Sequence, residues 1–278
     1  MISAKLSDSE FKRLSTFILQ KYGINLTQKK TLVEGRLANT IKQRGFEDFK
    51  SFIDMIFADK TGTEMINLLN RLTTNHTFFL REKEHYDFMK DVALPYFEKT
   101  KKNNKISIWS AACSSGEEPY TNVMAVLEYF ALKSSAWTVE VDATDISMRV
   151  MNKAKEAVYH VDSMKNLPDT WKRKYFIKQD NDCFKVSPDV TKRVTFKTFN
   201  LMDRVPFRAQ PYDIIFCRNV MIYFEHDTKI EVVKRLYDVL APGGYLFIGH
   251  AESITRDTTQ YQFVKPAIYR KPLPGEIK

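Results

Sequence analysis

Apolar residues recur at helical spacing through the first seventy residues and then give way to short, nearly continuous apolar runs. Phe11, Leu14, Phe17, Ile18 and Tyr22 fall three or four apart, the spacing of a helix that buries one face. Ser7 and Glu10 form a capping box at its start, and Gly23 is suited to the left-handed residue that ends it. A second helix is expected from Thr27, carrying Leu32, Leu37 and Ile41 and stopping at Gly45. A third carries Phe49, Phe52, Ile53 and Ile56 and ends near Gly62. The fourth carries Met65, Leu68, Leu69 and Leu72. These stripes read as the core of a small helical domain.

The period changes at Ile106. Residues 106–112 read as a strand, 113–116 as a turn and 117–132 as a helix. A second strand spans 137–143 and ends at Thr144 and Asp145, and a helix runs from Met151 to Val158. Further strands are expected at 194–199, 212–217 and 244–249. The helix before the last carries Ile230, Val233, Leu236 and Leu240 and breaks at Pro242, Gly243 and Gly244. Strands alternating with helices predict an α/β fold with a doubly wound, mostly parallel sheet, which binds ligands at the carboxyl ends of its strands. Residues 159–193 are too long for a simple connection. The apolar runs at Tyr175–Ile177 and Phe184–Val186 make this stretch, about 160–193, a small inserted antiparallel β-subdomain. The expected division is 1–85 for the helical domain with its linker and 86–278 for the α/β domain.

Composition narrows the classes. The chain has 278 residues, 44% hydrophobic and 28% charged, ordinary for a globular protein. No run approaches the ~20 apolar residues that cross a bilayer, and the N-terminus lacks the apolar core of a signal peptide. A cytoplasmic protein without membrane insertion is expected. The three cysteines form no CxxC pair and the five histidines no HExxH spacing, so neither a disulfide framework nor a metal site is expected. A formal net charge of +9 points to an anionic partner. Nucleic acid, a membrane surface and an acidic protein helix all satisfy it. Lys29, Lys30, Arg36, Lys42 and Arg44 cluster around the second helix, either as a solvated face or as a docking face.

The candidate chemistry lies at the strand ends. Ala111, Ala112, Cys113, Ser114, Ser115 and Gly116 are small enough to let backbone approach a ligand at a helix N-terminus. The GxGxxG pattern of a dinucleotide pyrophosphate site is absent. Glu117 and Glu118 open the following helix instead, where they would repel a phosphate but accept a cationic ligand. Asp145 is placed either to accept hydrogen bonds from ribose hydroxyls or to cap the next helix. Asn200 with Leu201, and Arg218 with Asn219, close the third and fourth strands at the same edge.

Five blocks of this sequence resemble the chemotaxis receptor methyltransferases, the CheR family. They are 72–82 (LTTNHTFFLRE), 109–120 (WSAACSSGEEPY), 142–146 (DATDI), 215–224 (IFCRNVMIYF) and 240–253 (LAPGGYLFIGHAES). The likeness covers nearly the whole chain in order. It implies a Rossmann-like S-adenosylmethionine-dependent methyltransferase domain behind an all-helical domain. The implied reaction carries a methyl group from S-adenosylmethionine to receptor glutamates, leaving methyl esters and S-adenosylhomocysteine. By motif position, Asn75, Thr77 and Arg81 would line the cofactor site. One of Glu117 or Glu118 would join them, with Asp145, Asn200, Leu201, Arg218 and Asn219. Tyr223 would sit beside the transferred methyl, and Arg81, Arg218 and Tyr223 would hold the incoming carboxylate or the cofactor's own. The partners implied are methyl-accepting chemotaxis receptors, with the protein acting as a monomer.

Some members of that family grip a receptor's C-terminal peptide with the inserted subdomain, at a turn that carries glycine. The corresponding stretch 178–183 (KQDNDC) has none, which favours direct recognition of the methylation helices. Two other functions fit parts of the sequence. A nucleic-acid methyltransferase fits the charge, but no NPPY-like base-flipping motif closes the fourth strand. A non-catalytic cofactor-binding module fits the fold, against the intact Asn75, Arg81, Asp145, Asn219 and Tyr223.

Overall fold

A computed structural model describes residues 5–73, 76–131, 133, 136–204, 210–255 and 259–276. The chain forms two compact units, Met1–Asn75 with Tyr223–Thr228, and His76–Ile222 with Lys229–Lys278.

In the first unit, α1 (Asp8–Tyr22) begins on the expected capping box, with the Ser7 hydroxyl accepting from the Glu10 amide and the Glu10 carboxylate from the Ser7 amide. Gly23 ends it at φ 71°. The second helix, α2 (Lys30–Gln43), starts three residues later than its pattern suggested. Asn25 causes the delay, because its side-chain oxygen accepts from the amide and hydroxyl of Thr27 at 2.9 and 2.7 Å and holds that stretch in a turn. α3 (Phe49–Ala58) is capped by Asp48, and α4 (Thr63–Leu72) follows Gly62. Leu14, Ile18, Leu37, Ile41, Ile53 and Leu68 are buried here, each worth about 1.5–3 kcal/mol of apolar transfer.

The basic cluster of α2 is partly spent inside this unit. Arg36 donates to the carbonyls of Leu72 (2.6 Å) and Arg71 (3.4 Å), satisfying acceptors that the end of α4 leaves open. Lys30 pairs with Asp8 at 2.6 Å and Arg44 pairs with Glu64.

The second unit opens with α5 (Lys83–Phe88), which runs through a π-type turn at Met89–Ala93 into α6 (Leu94–Thr100). Its main sheet uses β1 (Lys105–Ser110), β2 (Thr138–Asp145), β6 (Val194–Thr198), β7 (Tyr212–Cys217), β8 (Leu240–Ile248), β9 (Gln262–Lys265) and β10 (Ile268–Arg270). The order across it is β6-β2-β1-β7-β8-β10-β9. The first five strands are parallel and the last two antiparallel. Helices α7 (Glu117–Phe130), α8 (Met148–Glu156) and α11 (His226–Val239) make the connections. The order reverses at β1, so the crevice between β1 and β7 opens at their carboxyl ends, where such sheets bind ligands. The strands β9 and β10 had no signal in the sequence. All four residues of β9 are exposed, so no alternation marks it.

The inserted subdomain is present as a separate three-stranded antiparallel sheet, β3 (Val158–His160), β5 (Cys183–Val186) and β4 (Phe176–Lys178) in that spatial order. α9 (Asp169–Tyr175) and α10 (Pro188–Thr191) flank it. In the turn joining β4 to β5, Asn181 and Asp182 take φ of 55° and 54°. These two residue types tolerate the left-handed region. The turn therefore has the backbone for which glycine is usually recruited, and the missing glycine no longer argues against a peptide-gripping role.

Candidate active site

The four parallel strands β6, β2, β1 and β7 end on one edge and place the predicted residues there. Ser110 is the last residue of β1, Asp145 of β2 and Cys217 of β7. The chain leaves β1 through a tight turn in which Ser114 has φ 48° and Gly116 φ 95°. At Gly116 a Cβ would lie 2.8 Å from both the Ala154 Cβ and the Tyr159 hydroxyl, so only glycine fits. The Ala111 amide donates to the Phe216 carbonyl and the Cys113 amide to the Thr144 carbonyl, which ties the turn to the ends of both neighbouring strands.

Asp145 meets this turn directly. One carboxylate oxygen accepts from the Ser114 amide at 2.9 Å and the other from the Ser147 amide at 3.0 Å. The residue thus braces the start of α8, one of the two roles its position allowed, and ties that helix to the turn. A carboxylate has about four acceptor positions, so capacity remains for hydroxyl donors. Burial raises its pKa, against the pull of these amides. Asn200 and Leu201 follow β6 on the same edge, where the Phe199 amide donates to the Asp145 carbonyl. Asn200 accepts from the Met202 amide through its side chain, and the buried Leu201 offers its carbonyl to Arg235.

Glu117 and Glu118 part company. Glu117 is buried and accepts from the Ser115 hydroxyl at 2.7 Å, within its own turn. Glu118 accepts from the Ser110 hydroxyl at 2.6 Å and from Arg218 at 3.2 Å. Burial raises both carboxyls, and Arg218 opposes the rise at Glu118.

Arg218 is the centre of a charged network. Its guanidinium donates to Glu82, to Glu118, to the Tyr86 hydroxyl and to the Arg81 carbonyl. The Arg218 side chain is 1% exposed. Its donors are engaged with protein groups, so it organises its surroundings and is not an open clamp for an incoming carboxylate. Glu82 also accepts from the Asn219 side chain and the His250 amide. Burial would raise the Glu82 carboxyl, but Arg218, Asn219 and the His250 amide outweigh it and hold it below the usual range. Arg81 keeps its own guanidinium for the His76 carbonyl at 2.8 Å. Thr77 lies half-buried in the same segment. Asn75 lies outside the described residues. Tyr223 belongs to the first unit, where its carbonyl accepts from the Asn25 amide at 2.8 Å.

Three participants escaped the sequence reading. Glu82 is one residue past the recognised Arg81, and its φ of 55° has no sequence signal. Tyr86 lies in a stretch to which the sequence pattern assigned nothing. Glu252 lies in the last family block with no role assigned to it, and its carboxylate accepts the amides of Asn219, Gly249 and Ile222. Glu82, His85 and His250 bring donor atoms within 4.8 Å of one another. Glu82 is committed to Arg218 and its amide donors, however, and the guanidinium beside it opposes a cation. Cys113 and Cys217 are buried with thiols pushed well above the usual value, which makes them inert packing groups.

This donor set suits S-adenosylmethionine: a strand-end carboxylate with acceptor capacity left for hydroxyls, a close-approach turn without the GxGxxG pattern of a phosphate cradle, and acidic residues opening the helix after it. Comparison with known proteins agrees. Residues 9–73 match the family model described as the CheR methyltransferase all-alpha domain, and 75–269 match the CheR methyltransferase SAM binding domain. The chain is 38% identical to the chemotaxis protein methyltransferase of Borreliella burgdorferi over 97% of this chain and 96% of the relative. It is 32% identical to chemotaxis protein methyltransferase 2 of Vibrio cholerae, covering 98% and 96%. It is also 32% identical to the chemotaxis protein methyltransferase of Escherichia coli, covering 95% and 91%. With both domains matched in order, this chain belongs to the CheR methyltransferase family and is an S-adenosylmethionine-dependent methyltransferase.

Proposed function

We propose that the protein methylates glutamate side chains of methyl-accepting chemotaxis receptors, leaving glutamate methyl esters and S-adenosylhomocysteine. The observation that carries this reading is the 38% identity to a chemotaxis protein methyltransferase along 97% of the chain, helical domain included. Bound S-adenosylmethionine supplies an electrophilic methyl: its bond to sulfur breaks, a carboxylate oxygen bonds to the carbon, and sulfur keeps the electron pair.

A glutamate has a reference pKa of about 4.3, so the nucleophile is anionic at neutral pH without a general base. The residues have to align it and exclude water. In this reading Asp145 accepts the ribose hydroxyls. Asn75, Thr77, Asn200, Leu201, Asn219 and one of Glu117 or Glu118 line the rest of the cofactor site. Arg81 holds a carboxylate, and Tyr223 lies beside the transferred methyl by its motif position. Arg218 acts indirectly, by fixing Glu118 and the backbone of Arg81. Lys29, just before α2, and Lys42, in its last turn, meet the acidic methylation helices. The protein works as a cytoplasmic monomer.

Methyl-labelled S-adenosylmethionine and receptor-bearing membranes provide the test. Alkali-labile label on receptor bands supports the ester and the substrate together. Cofactor binding with no label on receptors overturns the substrate, and label on added RNA or DNA would move it to nucleic acid.

A further inference from the structure

Three backbone amides of the second unit converge on one carboxylate that none of the assigned roles uses. Glu252 accepts from the Gly249 amide at 2.6 Å and the Asn219 amide at 2.9 Å through one oxygen, and from the Ile222 amide at 3.2 Å through the other. Asn219 and Ile222 lie in the loop that leaves β7, and Asn219 sits there at φ 57°, in the left-handed region that Asn adopts more readily than most residues. The approach is close. A Cβ on Gly249 would lie 2.5 Å from the Asn219 side-chain nitrogen and 2.9 Å from the Glu252 carboxylate, so a larger residue there would displace both side chains. The residue after Ile222 is Tyr223.

We infer that Glu252 is a positioning residue for methyl transfer: its carboxylate fixes the backbone of Asn219–Ile222 and so aims Asn219 and Tyr223. The inference rests on the proposed roles of those two residues. A carboxylate suits the task because it only accepts and has about four acceptor positions, enough for the three N–H groups. An amide of the same length offers half that capacity and turns two donors towards N–H groups. The loop then has no arrangement that satisfies every donor, and misplacing aligned groups by about 1 Å can cost on the order of a hundredfold in rate.

The experiment compares wild type, Glu252→Gln and Glu252→Ala in the full chain. It measures turnover on receptor membranes at saturating S-adenosylmethionine, cofactor Kd by calorimetry and amide exchange of residues 219–222. Turnover is expected to fall about tenfold or more in both variants, with a smaller change in Kd and faster exchange in the loop. Glu252→Ala leaves three N–H groups around a vacated carboxylate position, so added formate is expected to restore part of its turnover and of the loop's protection. Formate should do neither for wild type or Glu252→Gln. Unchanged turnover in a folded variant overturns the inference, as does a Kd loss that accounts for the whole rate loss. If wild type labels no receptor, the substrate reading fails and the exchange experiment decides alone: loop protection unchanged in Glu252→Gln, and in Glu252→Ala with or without formate, overturns the inference.

Discussion

Arg218 and Glu82 stand 136 residues apart in sequence and meet at 3.1 Å, with the arginine side chain 1% exposed and the glutamate 13%. A guanidinium this deeply buried has to be matched by acceptors, and Glu118, Tyr86 and the Arg81 carbonyl complete the match. Removing one partner of a buried ion pair leaves the other uncompensated, at a cost of about 3–5 kcal/mol. Arg218→Met is therefore expected to lower Tm by about 6–20 °C, and scanning calorimetry checks it. Arg218→Lys keeps the charge without the planar fork and should fall between. A Tm near wild type in Arg218→Met would mean that the network does not hold the segment.

Asp145 is anchored through both carboxylate oxygens to backbone amides of the turn and of α8. Asp145→Asn keeps the shape but loses the charge that strengthens hydrogen bonds to hydroxyl donors. Hydrogen bonds to charged groups contribute about 1.5–3 kcal/mol, so S-adenosylmethionine should bind roughly 10- to 100-fold more weakly. Wild-type affinity by isothermal titration calorimetry refutes the ribose assignment.

Tyr223→Phe removes one hydroxyl and little volume. If that hydroxyl lies beside the transferred methyl, turnover should fall by about 10-fold or more while cofactor Kd stays within about threefold, because an interaction made in the transition state alone lowers kcat. Unchanged turnover on labelled receptors excludes the role.

The basic residues in and just before α2 separate into two groups. Arg36 holds carbonyls at the end of α4, so Arg36→Ala should destabilise the first unit by about 1 kcal/mol. Lys29→Glu with Lys42→Glu should leave Tm unchanged and raise the receptor KM, more so at low salt. A KM unaffected by the double reversal would place receptor docking elsewhere.

His85 is buried, and neither ring nitrogen hydrogen-bonds among the described residues. Burial, reinforced by the Arg218 charge, lowers its pKa from the usual 6.5 to about 3. Between those values the unfolded chain binds a proton that the folded one refuses. The contribution is thus intact above pH 6.5 and is lost as pH falls towards 3, with a limiting slope of about 1.4 kcal/mol per pH unit. Denaturant unfolding followed from pH 7 to pH 4 should show a slope that His85→Phe reduces. Parallel curves for the two proteins would show that His85 does not titrate in this way.

By itself the sequence determined the helical domain, the parallel core of the sheet and the edge on which the site lies, because these depend on short-range information. A capping box spans three residues, an apolar stripe repeats every three or four, and alternation of strands and helices sends each parallel strand end to one side. Asp145, Asn200 and Arg218 could be placed at that edge simply by ending strands. The family blocks supplied the cofactor without any geometry. Only the tertiary structure decided what each charge does there. Arg218 looked like a free clamp until Glu82 and Glu118 were found against it, and Arg36 looked like a docking residue until the end of α4 was found beneath it. Glu117 and Glu118 are adjacent and chemically identical, yet a 100° step around the helix turns one towards Ser115 and the other towards Arg218. Glu252 is the plainest case. Nothing within a few residues of it reveals that a loop 30 residues earlier needs an acceptor, because the need arises when two strand ends meet in space.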